Sequence, residues 1–116
     1  MFELRDVDIV EVPGEKFCIT FSPSDKNVNI NGSVHGGVLY LLCDEAIGRY
    51  VTAMGRKGAA ADANIHYYRP GKPGEPLFAT VSDRKVGKKL GIFLVELTNG
   101  EGKLLADALF TVAFAE

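Results

Sequence analysis

The sequence predicts an α+β domain in which one long helix packs against one face of an antiparallel sheet. A single segment, at about 36–54, has the length and the apolar content of a buried helix. Six shorter segments have the composition of strands, two before the helix and four after it: 7–12, 16–22, 59–68, 76–86, 90–98 and 104–115. One helix beside so many strands must cover one face of their sheet, which gives a two-layer domain.

The chain before the helix is predicted to form two strands and a loop. Pro13-Gly14 separates the two strands and is a typical turn pair. Residues 23–34 are rich in Ser, Asn and Gly, so we expect a loop there.

The helix is expected to end before Gly55, where the chain can turn without strain. Arg49 and Arg56 near that end suit the negative end of the helix dipole. The helix is apolar nearly all round, with Val38, Leu39, Leu41, Leu42, Ala46, Ile47, Val51 and Met54. A helix of this kind is buried on most sides, by a sheet wrapped around it or by a second copy of the chain.

The four later strands are predicted to form an antiparallel meander. They are separated in order by RPGKPGE, VGKK and NGEGK. Asn99-Gly100 in the last connection is a strong hairpin signal, because both residues tolerate the backbone of a tight turn.

Length, composition and charge exclude several classes of protein. The 116 residues fit one domain over 1–116, and 47% hydrophobic with 24% charged residues is ordinary for a globular chain. A net charge of -2 gives no reason to expect a nucleic-acid partner. Cys18 and Cys43 do not suggest a disulfide framework. The first ten residues lack the basic start and long apolar core of a signal peptide, and no apolar run approaches the ~20 residues that cross a membrane, so we expect a cytoplasmic protein.

Asp44 is the least expected residue of the helix, because it interrupts an apolar stripe. No basic residue lies three or four positions away, where the chain has Tyr40, Leu41, Ile47 and Gly48. An unpaired carboxylate is costly there unless it faces a water-filled cleft or finds hydrogen-bond partners. We interpret Asp44 as a functional residue, the alternative being a satisfied core acid. The next residue, Glu45, is instead predicted to pair with Arg49 on the helix surface.

Gly36 and Gly37 at the helix start suggest a site for a polarised carbonyl. Glycine lowers helix propensity by roughly 1 kcal/mol relative to alanine, so two in a row need a reason. Without side chains, a ligand can approach the unpaired N–H groups at the positive end of the helix dipole. Close packing against a neighbouring backbone is the structural alternative.

His35 and Asp44 cannot meet within one chain. Nine residues of helix span about 13.5 Å, and the two positions point to nearly opposite sides. If both are functional, the helix start of one subunit must face the helix middle of another. A two-fold axis between two copies of the chain does this and creates two equal sites.

Other chemistries have weaker support. The segment GSVHG lacks the serine of a hydrolase elbow, and no phosphate-binding Gly-Lys-Ser/Thr sequence is present. His35 and His66 do not have the spacing of metal ligands, so we expect neither a metal nor a cofactor. His66 alternates with Asp62, Asn64 and Tyr68 on a strand face that is either solvent-exposed or an interface, and we give it no role.

The motif around these residues resembles the hotdog-fold acyl-CoA thioesterases of the phenylacetate-degradation (PaaI-like) type. It has the form N-x-x-G-x-x-H-G-G followed by L-x-D-x-A-x-G. Here it consists of Asn29, Gly32, His35, Gly36, Gly37, Leu42, Asp44, Ala46 and Gly48. The later NIHYYRP and GKPGE also resemble the family, and the likeness covers roughly 15–115. It implies a curved antiparallel sheet around one helix, and dimers joined edge to edge that often pair into tetramers.

The resemblance also implies a reaction and its residues. The substrate is an acyl-CoA thioester, of which coenzyme A is a part. The Gly36 N–H polarises the thioester carbonyl, with His35 and Asn29 at the same end of the helix. Asp44 of the other subunit acts as general base or nucleophile, and Asn29 orients water or substrate. Elementary chemistry agrees, because an activated acyl group needs only a polarised carbonyl, a carboxylate and water.

Several further positions are predicted to contact substrate, alongside Gly37. Relatives often have Ser or Thr near the attacking water, and Ala60 occupies the matching place here, so turnover is expected to be slow or substrate choice altered. Tyr40 is placed either to narrow the acyl pocket or to serve as a core aromatic. The basic segment with Arg84, Lys88 and Lys89 suits the phosphates of coenzyme A, although a solvated hairpin would look the same.

Two alternatives to a thioesterase stay open at this point. A hotdog dimer could hold an acyl-CoA without hydrolysing it, and Ala60 is the residue that favours this. A hydratase-like hotdog enzyme is disfavoured, because such enzymes have His and Asp in a different motif.

Overall fold

The computed structural model describes residues 8–115 and contains one six-stranded sheet with one long helix. The strands are β1 (Val10–Val12), β2 (Phe17–Phe21), β3 (Gly58–Tyr67), β4 (Leu77–Val86), β5 (Leu90–Asn99) and β6 (Leu104–Phe114). The helix α1 (Gly36–Ala53) lies between β2 and β3 in the chain. The predicted hotdog-type α+β architecture is therefore confirmed. Residue 7, at which the first strand was predicted to begin, lies outside the described residues.

The sheet has the order β1-β2-β4-β5-β6-β3, and every neighbouring pair is antiparallel. The prediction of a four-strand meander after the helix is correct for β4, β5 and β6 but wrong for β3. β3 pairs with β6, while β4 pairs with β2, because α1 carries the chain from one side of the sheet to the other. The connection at 68–76 then returns it across the end of the sheet. As a consequence, β3 is an edge strand.

The core lies between α1 and one face of the sheet. Seven helix residues are buried: Val38, Leu39, Leu42, Cys43, Ala46, Ile47 and Val51. Alternate residues of β4, β5 and β6 meet them, including Phe93 and Phe110, which are fully buried. At roughly 1.5–3 kcal/mol for each large apolar side chain, this burial supplies most of what holds the helix on the sheet.

The C-terminal end of α1 follows the expected glycine signal. Gly55 has a φ of +80°, and the N–H groups of Gly55 and Arg56 donate to the carbonyls of Thr52 and Val51. This is the Schellman arrangement that terminates helices at glycine. On the surface, the Arg49 Nε lies 2.8 Å from the Glu45 carboxylate, which confirms the predicted ion pair.

The Asn99-Gly100 hairpin signal is also confirmed, between β5 and β6. Asn99 accepts hydrogen bonds through its side-chain oxygen from the N–H groups of Glu101 and Lys103. The residue with left-handed backbone is Gly102, at a φ of +79°.

Over residues 8–115, no helix has both the length and the apolar character needed to span a membrane.

Candidate active site

The start of α1 presents one N–H group that makes no hydrogen bond within the described residues. His35 caps the helix, and its Nδ1 accepts a hydrogen bond of 3.0 Å from the Gly37 N–H. The N–H groups of Val38 and Leu39 donate to the His35 carbonyl. Within residues 8–115, nothing accepts a hydrogen bond from the Gly36 N–H. The donor at the positive end of the helix is therefore Gly36 rather than Gly37.

The cap also fixes the tautomer of the neutral His35 ring. A ring nitrogen that accepts a hydrogen bond carries no proton, so the neutral His35 ring holds its proton on Nε2. A Cβ on Gly37 would lie 3.1 Å from Nδ1, a tight contact that the imidazole ring would have to relieve by shifting a few tenths of an ångström. His35 and Gly37 thus work together as a cap that leaves Gly36 exposed to a ligand.

A cavity of about 420 Å³ opens beside the helix start. Its lining includes Asn29, Gly36, Leu39, Tyr67 and Arg69. The structure thus brings Asn29 and Gly36 together, as the sequence predicts. The Asn29 side-chain oxygen already accepts from the N–H groups of Asn31 and Ser33, so this amide also orders its own loop. Only its NH₂ group has hydrogen-bonding capacity left to offer a ligand.

Tyr67 is the residue of this cavity that the sequence prediction missed. Its hydroxyl donates to the Gly36 carbonyl at 3.0 Å, and its ring lies 3.6 Å from where a Cβ on Gly36 would be. Alternation along β3 contains the signal, since Tyr67 shares the helix-facing side with Ile65 and Ala63. The side chain is half exposed and its pKa is raised, mainly by burial, so it stays a neutral hydroxyl.

Asp44 lies in the middle of α1, about 12 Å along the helix from Gly36. Its side chain is half-buried, and no hydrogen bond or ion pair reaches its carboxylate from residues 8–115. One chain therefore does not bring Asp44 to the free N–H of Gly36. The carboxylate is available to a ligand or to a second subunit.

Ala60 lies on the helix-facing side of β3, opposite Val112 of β6. A β-bulge follows it, because the register shifts between Ala60 and Asp62. Ala60 is exposed in the single chain, like its neighbours in this part of the edge strand. Bulges re-aim side chains next to sites, so this geometry is compatible with a place near Asp44.

Tyr40 and Cys43, on the same part of the helix as Asp44, both pack against the core. Tyr40 stacks on Phe110 with ring centroids 5.9 Å apart, and it is half-buried. Burial, followed by the charges of Asp107 and Asp44, raises the pKa of the Cys43 thiol from 9.0 to about 12. Because a cysteine nucleophile must be a thiolate, Cys43 is not a candidate for one.

The basic segment divides into two parts. Lys88 and Lys89 line a cavity of about 630 Å³ near the end of α1. Arg84 does not line that cavity and is the extra residue of a β-bulge in β4.

His66 lies on the other face of the sheet, 4.0 Å from Asp107 and stacked on Tyr68. In the described part of the chain, no group of three or more His, Cys, Asp or Glu side chains is arranged to hold a metal ion.

Comparison with known proteins agrees with this fold and this motif. The family model described as "Thioesterase superfamily" matches residues 31–106. The acyl-coenzyme A thioesterase PaaI of Escherichia coli is 30% identical over 100 residues, which cover 86% of this chain and 71% of that one.

Two solved structures from streptococci are also similar. A Streptococcus mutans protein bound to acetyl-CoA superposes with a TM-score of 0.89 at 27% identity, covering 99% of this chain and 95% of that one. A hypothetical thioesterase of Streptococcus pneumoniae with coenzyme A gives a TM-score of 0.87 at 26% identity, covering 92% and 88%.

Fold and motif together define a hotdog-fold protein of the PaaI-like type, which confirms the resemblance seen in the sequence. The chain belongs to the thioesterase superfamily.

Proposed function

We propose that this chain is an acyl-CoA thioesterase whose active site is shared between two subunits. The observation that carries the proposal is the N–H of Gly36, which has no acceptor within residues 8–115 and belongs to a residue that lines a cavity at the positive end of α1. The unpaired carboxylate of Asp44 supplies the second group that hydrolysis needs. The name of the E. coli relative and the coenzyme A ligands of the two streptococcal proteins support a thioester of coenzyme A as substrate.

In this mechanism, the thioester carbonyl oxygen accepts a hydrogen bond from the Gly36 N–H. The bond and the helix dipole stabilise the negative charge that develops on that oxygen. Asp44 of the partner subunit either removes a proton from an attacking water or attacks the carbonyl carbon itself. In the second route, water then hydrolyses the acyl-aspartate. In both routes the carbon–sulfur bond breaks, and the products are the free acid and coenzyme A.

The same reasoning gives the other predicted residues their roles. His35 holds the helix start in place through its bond to Gly37, and Asn29 offers its NH₂ group to water or substrate. Tyr40 borders the acyl end of the site from one helical turn before Asp44. Lys88 and Lys89 bind the phosphates of coenzyme A. Each of these roles stays a prediction.

A dimer is required because about 12 Å of helix separates Gly36 from Asp44. The edge strand β3 is the surface we propose for it. This strand has ten residues, no proline and a run of small side chains, Gly58 to Ala61, that are exposed in the single chain. A long edge with unpaired backbone groups is a template for another strand, and a two-fold axis can satisfy both copies at once. Pairing of such dimers into a tetramer is compatible with this arrangement.

The streptococcal thioesterase also supports the importance of Asp44 and the position of Ala60. Variants of that protein have been solved with alanine in place of an aspartate and, sixteen residues later, in place of a threonine. Asp44 and Ala60 have the same separation in this chain. On this spacing we match Ala60 to the threonine position, where this chain already has alanine.

The first prediction is that the purified protein releases coenzyme A from acyl-CoA thioesters. A panel of aromatic, medium-chain and long-chain acyl-CoA substrates with a thiol-reactive dye measures this directly. Tight binding of every acyl-CoA without any thiol release would instead favour the non-catalytic binding module.

Fractionation of the source cells tests the expected cytoplasmic location.

The second prediction is that two inactive variants rescue each other. A mixed dimer of Gly36→Pro and Asp44→Asn chains has one site with both residues intact and one site with neither. Random reassociation of equal amounts should restore about a quarter of the parent activity, since half of the dimers are mixed and each has one good site. Failure of rescue in verified mixed dimers would contradict the shared site.

The third prediction concerns Ala60. Ala60→Thr should raise kcat about tenfold, because a hydroxyl there can hold the attacking water by one hydrogen bond. Ala60→Val is the matched control, since valine has the same shape without the hydroxyl. An equal effect of both substitutions on kcat would show that the hydroxyl is not what matters.

A further inference from the structure

Three cations surround the cavity at the far end of α1 from Gly36. Arg56, Lys88 and Lys89 line it together with Phe114 and Ala115. Among the described residues that line it, none is acidic. A cavity of this kind attracts anions, and the two lysines that line it are exposed.

Arg56 differs from the lysines because its guanidinium is fixed. It lies 3.6 Å from the centre of the Phe114 ring, in cation–π geometry. One terminal nitrogen donates to the Gly87 carbonyl at 2.9 Å, and the other donates to the Lys88 carbonyl at 2.6 Å. Arg56 therefore binds two consecutive carbonyl groups of the turn that contains Lys88 and Lys89.

The other side of this turn is held by backbone bonds. The Phe114 N–H donates to the Lys89 carbonyl at 2.9 Å, and the Gly87 N–H donates to the Leu90 carbonyl at 2.8 Å. Arg56 supplies the side-chain part of the clamp. A lysine in its place could reach only one of the two carbonyls and would stack less well on Phe114.

We infer that Arg56 is a positioning residue for coenzyme A, because it fixes the turn whose lysines bind the phosphates. This rests on the proposed function. About 14 Å of helix separates Asp44 from Ala53, where α1 ends next to Arg56. The thioester of coenzyme A lies at the far end of a long pantetheine arm. Its phosphates are therefore expected well away from the reacting carbonyl, on the same subunit as Asp44.

The test compares three variants in the full chain. Arg56→Met keeps the stem and removes the charge and both hydrogen bonds, whereas Arg56→Lys keeps the charge and loses the fork. Lys57→Met is the matched control, because this neighbouring exposed lysine loses the same charge but does not line the cavity. Calorimetry measures the Kd for coenzyme A. Kinetics measure KM and kcat for an acyl-CoA and for the same acyl group on pantetheine, which has no nucleotide.

We expect Arg56→Met to raise the Kd for coenzyme A and the KM for acyl-CoA about tenfold or more. This is the usual cost of losing one charged hydrogen bond, here between a lysine of the turn and a phosphate. Its kcat, and both constants for the pantetheine thioester, should be unchanged. Arg56→Lys should show most of the same loss. Lys57→Met should stay within about twofold of the parent.

Several outcomes would overturn the inference. Equal effects of Arg56→Met and Lys57→Met would mean that only overall charge matters, and parental affinity in Arg56→Lys would remove the positioning role. An equal loss with the pantetheine thioester would indicate general structural damage. If the parent binds coenzyme A but hydrolyses no thioester, the proposed function fails and calorimetry still decides the role of Arg56. If the parent binds no coenzyme A, both fail.

Discussion

Asp44→Asn is expected to abolish turnover while leaving the fold and acyl-CoA binding intact. Asparagine keeps the shape of the side chain but can neither attack a carbonyl carbon nor take a proton from water. General base catalysis alone contributes about 10²–10⁴-fold, so hydrolysis should fall by at least that factor. Single-turnover assays with free-thiol detection measure the loss, and calorimetry with a substrate that the variant does not hydrolyse measures the binding.

The stability of this variant separates a functional acid from a structural one. In the single chain, the Asp44 carboxylate forms no hydrogen bond or ion pair within residues 8–115. Removing its charge therefore breaks no contact of the described fold, and the midpoint of thermal unfolding should stay equal or rise. Glu101→Gln, on an exposed loop, is the control for loss of one negative charge. An Asp44→Asn protein that unfolds, from a parent without thioesterase activity, would make Asp44 a structural acid.

The fold was predictable because each local signal agrees with the others. Apolar content marks α1, Gly55 marks its end, and turn residues separate the later strands. What the local pattern could not supply was the partner of β3. A strand next to β4 in sequence has the same composition whether it pairs with β4 or with β6. The choice depends on which edge of the sheet the chain reaches at the end of α1, and this is set by how the helix packs on the sheet.

The site was predictable as a region but not as a set of atoms. His35, Gly36 and Gly37 were recognisable from their types and spacing. Which glycine has the free N–H depends on the rotamer of His35, because its Nδ1 takes the Gly37 N–H. Tyr67 was missed because it contacts Gly36 only through the pairing of β3 beside the helix start. Residues that meet across the fold leave only the weak signal of strand alternation in the sequence.

Gly36→Pro should lower kcat about 10²–10³-fold, the usual cost of losing one donor to a developing oxyanion. Proline removes the N–H and puts its ring carbon Cδ in the place of the hydrogen, so the thioester carbonyl loses both its donor and its room there. Gly36 is the first residue of α1, where proline is well tolerated, and its N–H makes no hydrogen bond within residues 8–115. The preceding residue also suits it, since His35 has a φ of -58° and a ψ of 133°, the extended backbone that residues before proline prefer.

Gly36→Ala is the matched partner of this variant, because it adds a side chain but keeps the N–H. Its Cβ would lie 3.6 Å from the Tyr67 ring, an ordinary contact that requires no rearrangement. We therefore expect Gly36→Ala to keep most of the parent kcat while Gly36→Pro loses it, with both proteins folded and dimeric. If the two variants lose the same amount, the glycine is needed for space. If the proline variant turns over like the parent, the carbonyl oxygen is held by another donor. A loss confined to proline is the result expected if the carbonyl oxygen binds at the backbone N–H of Gly36.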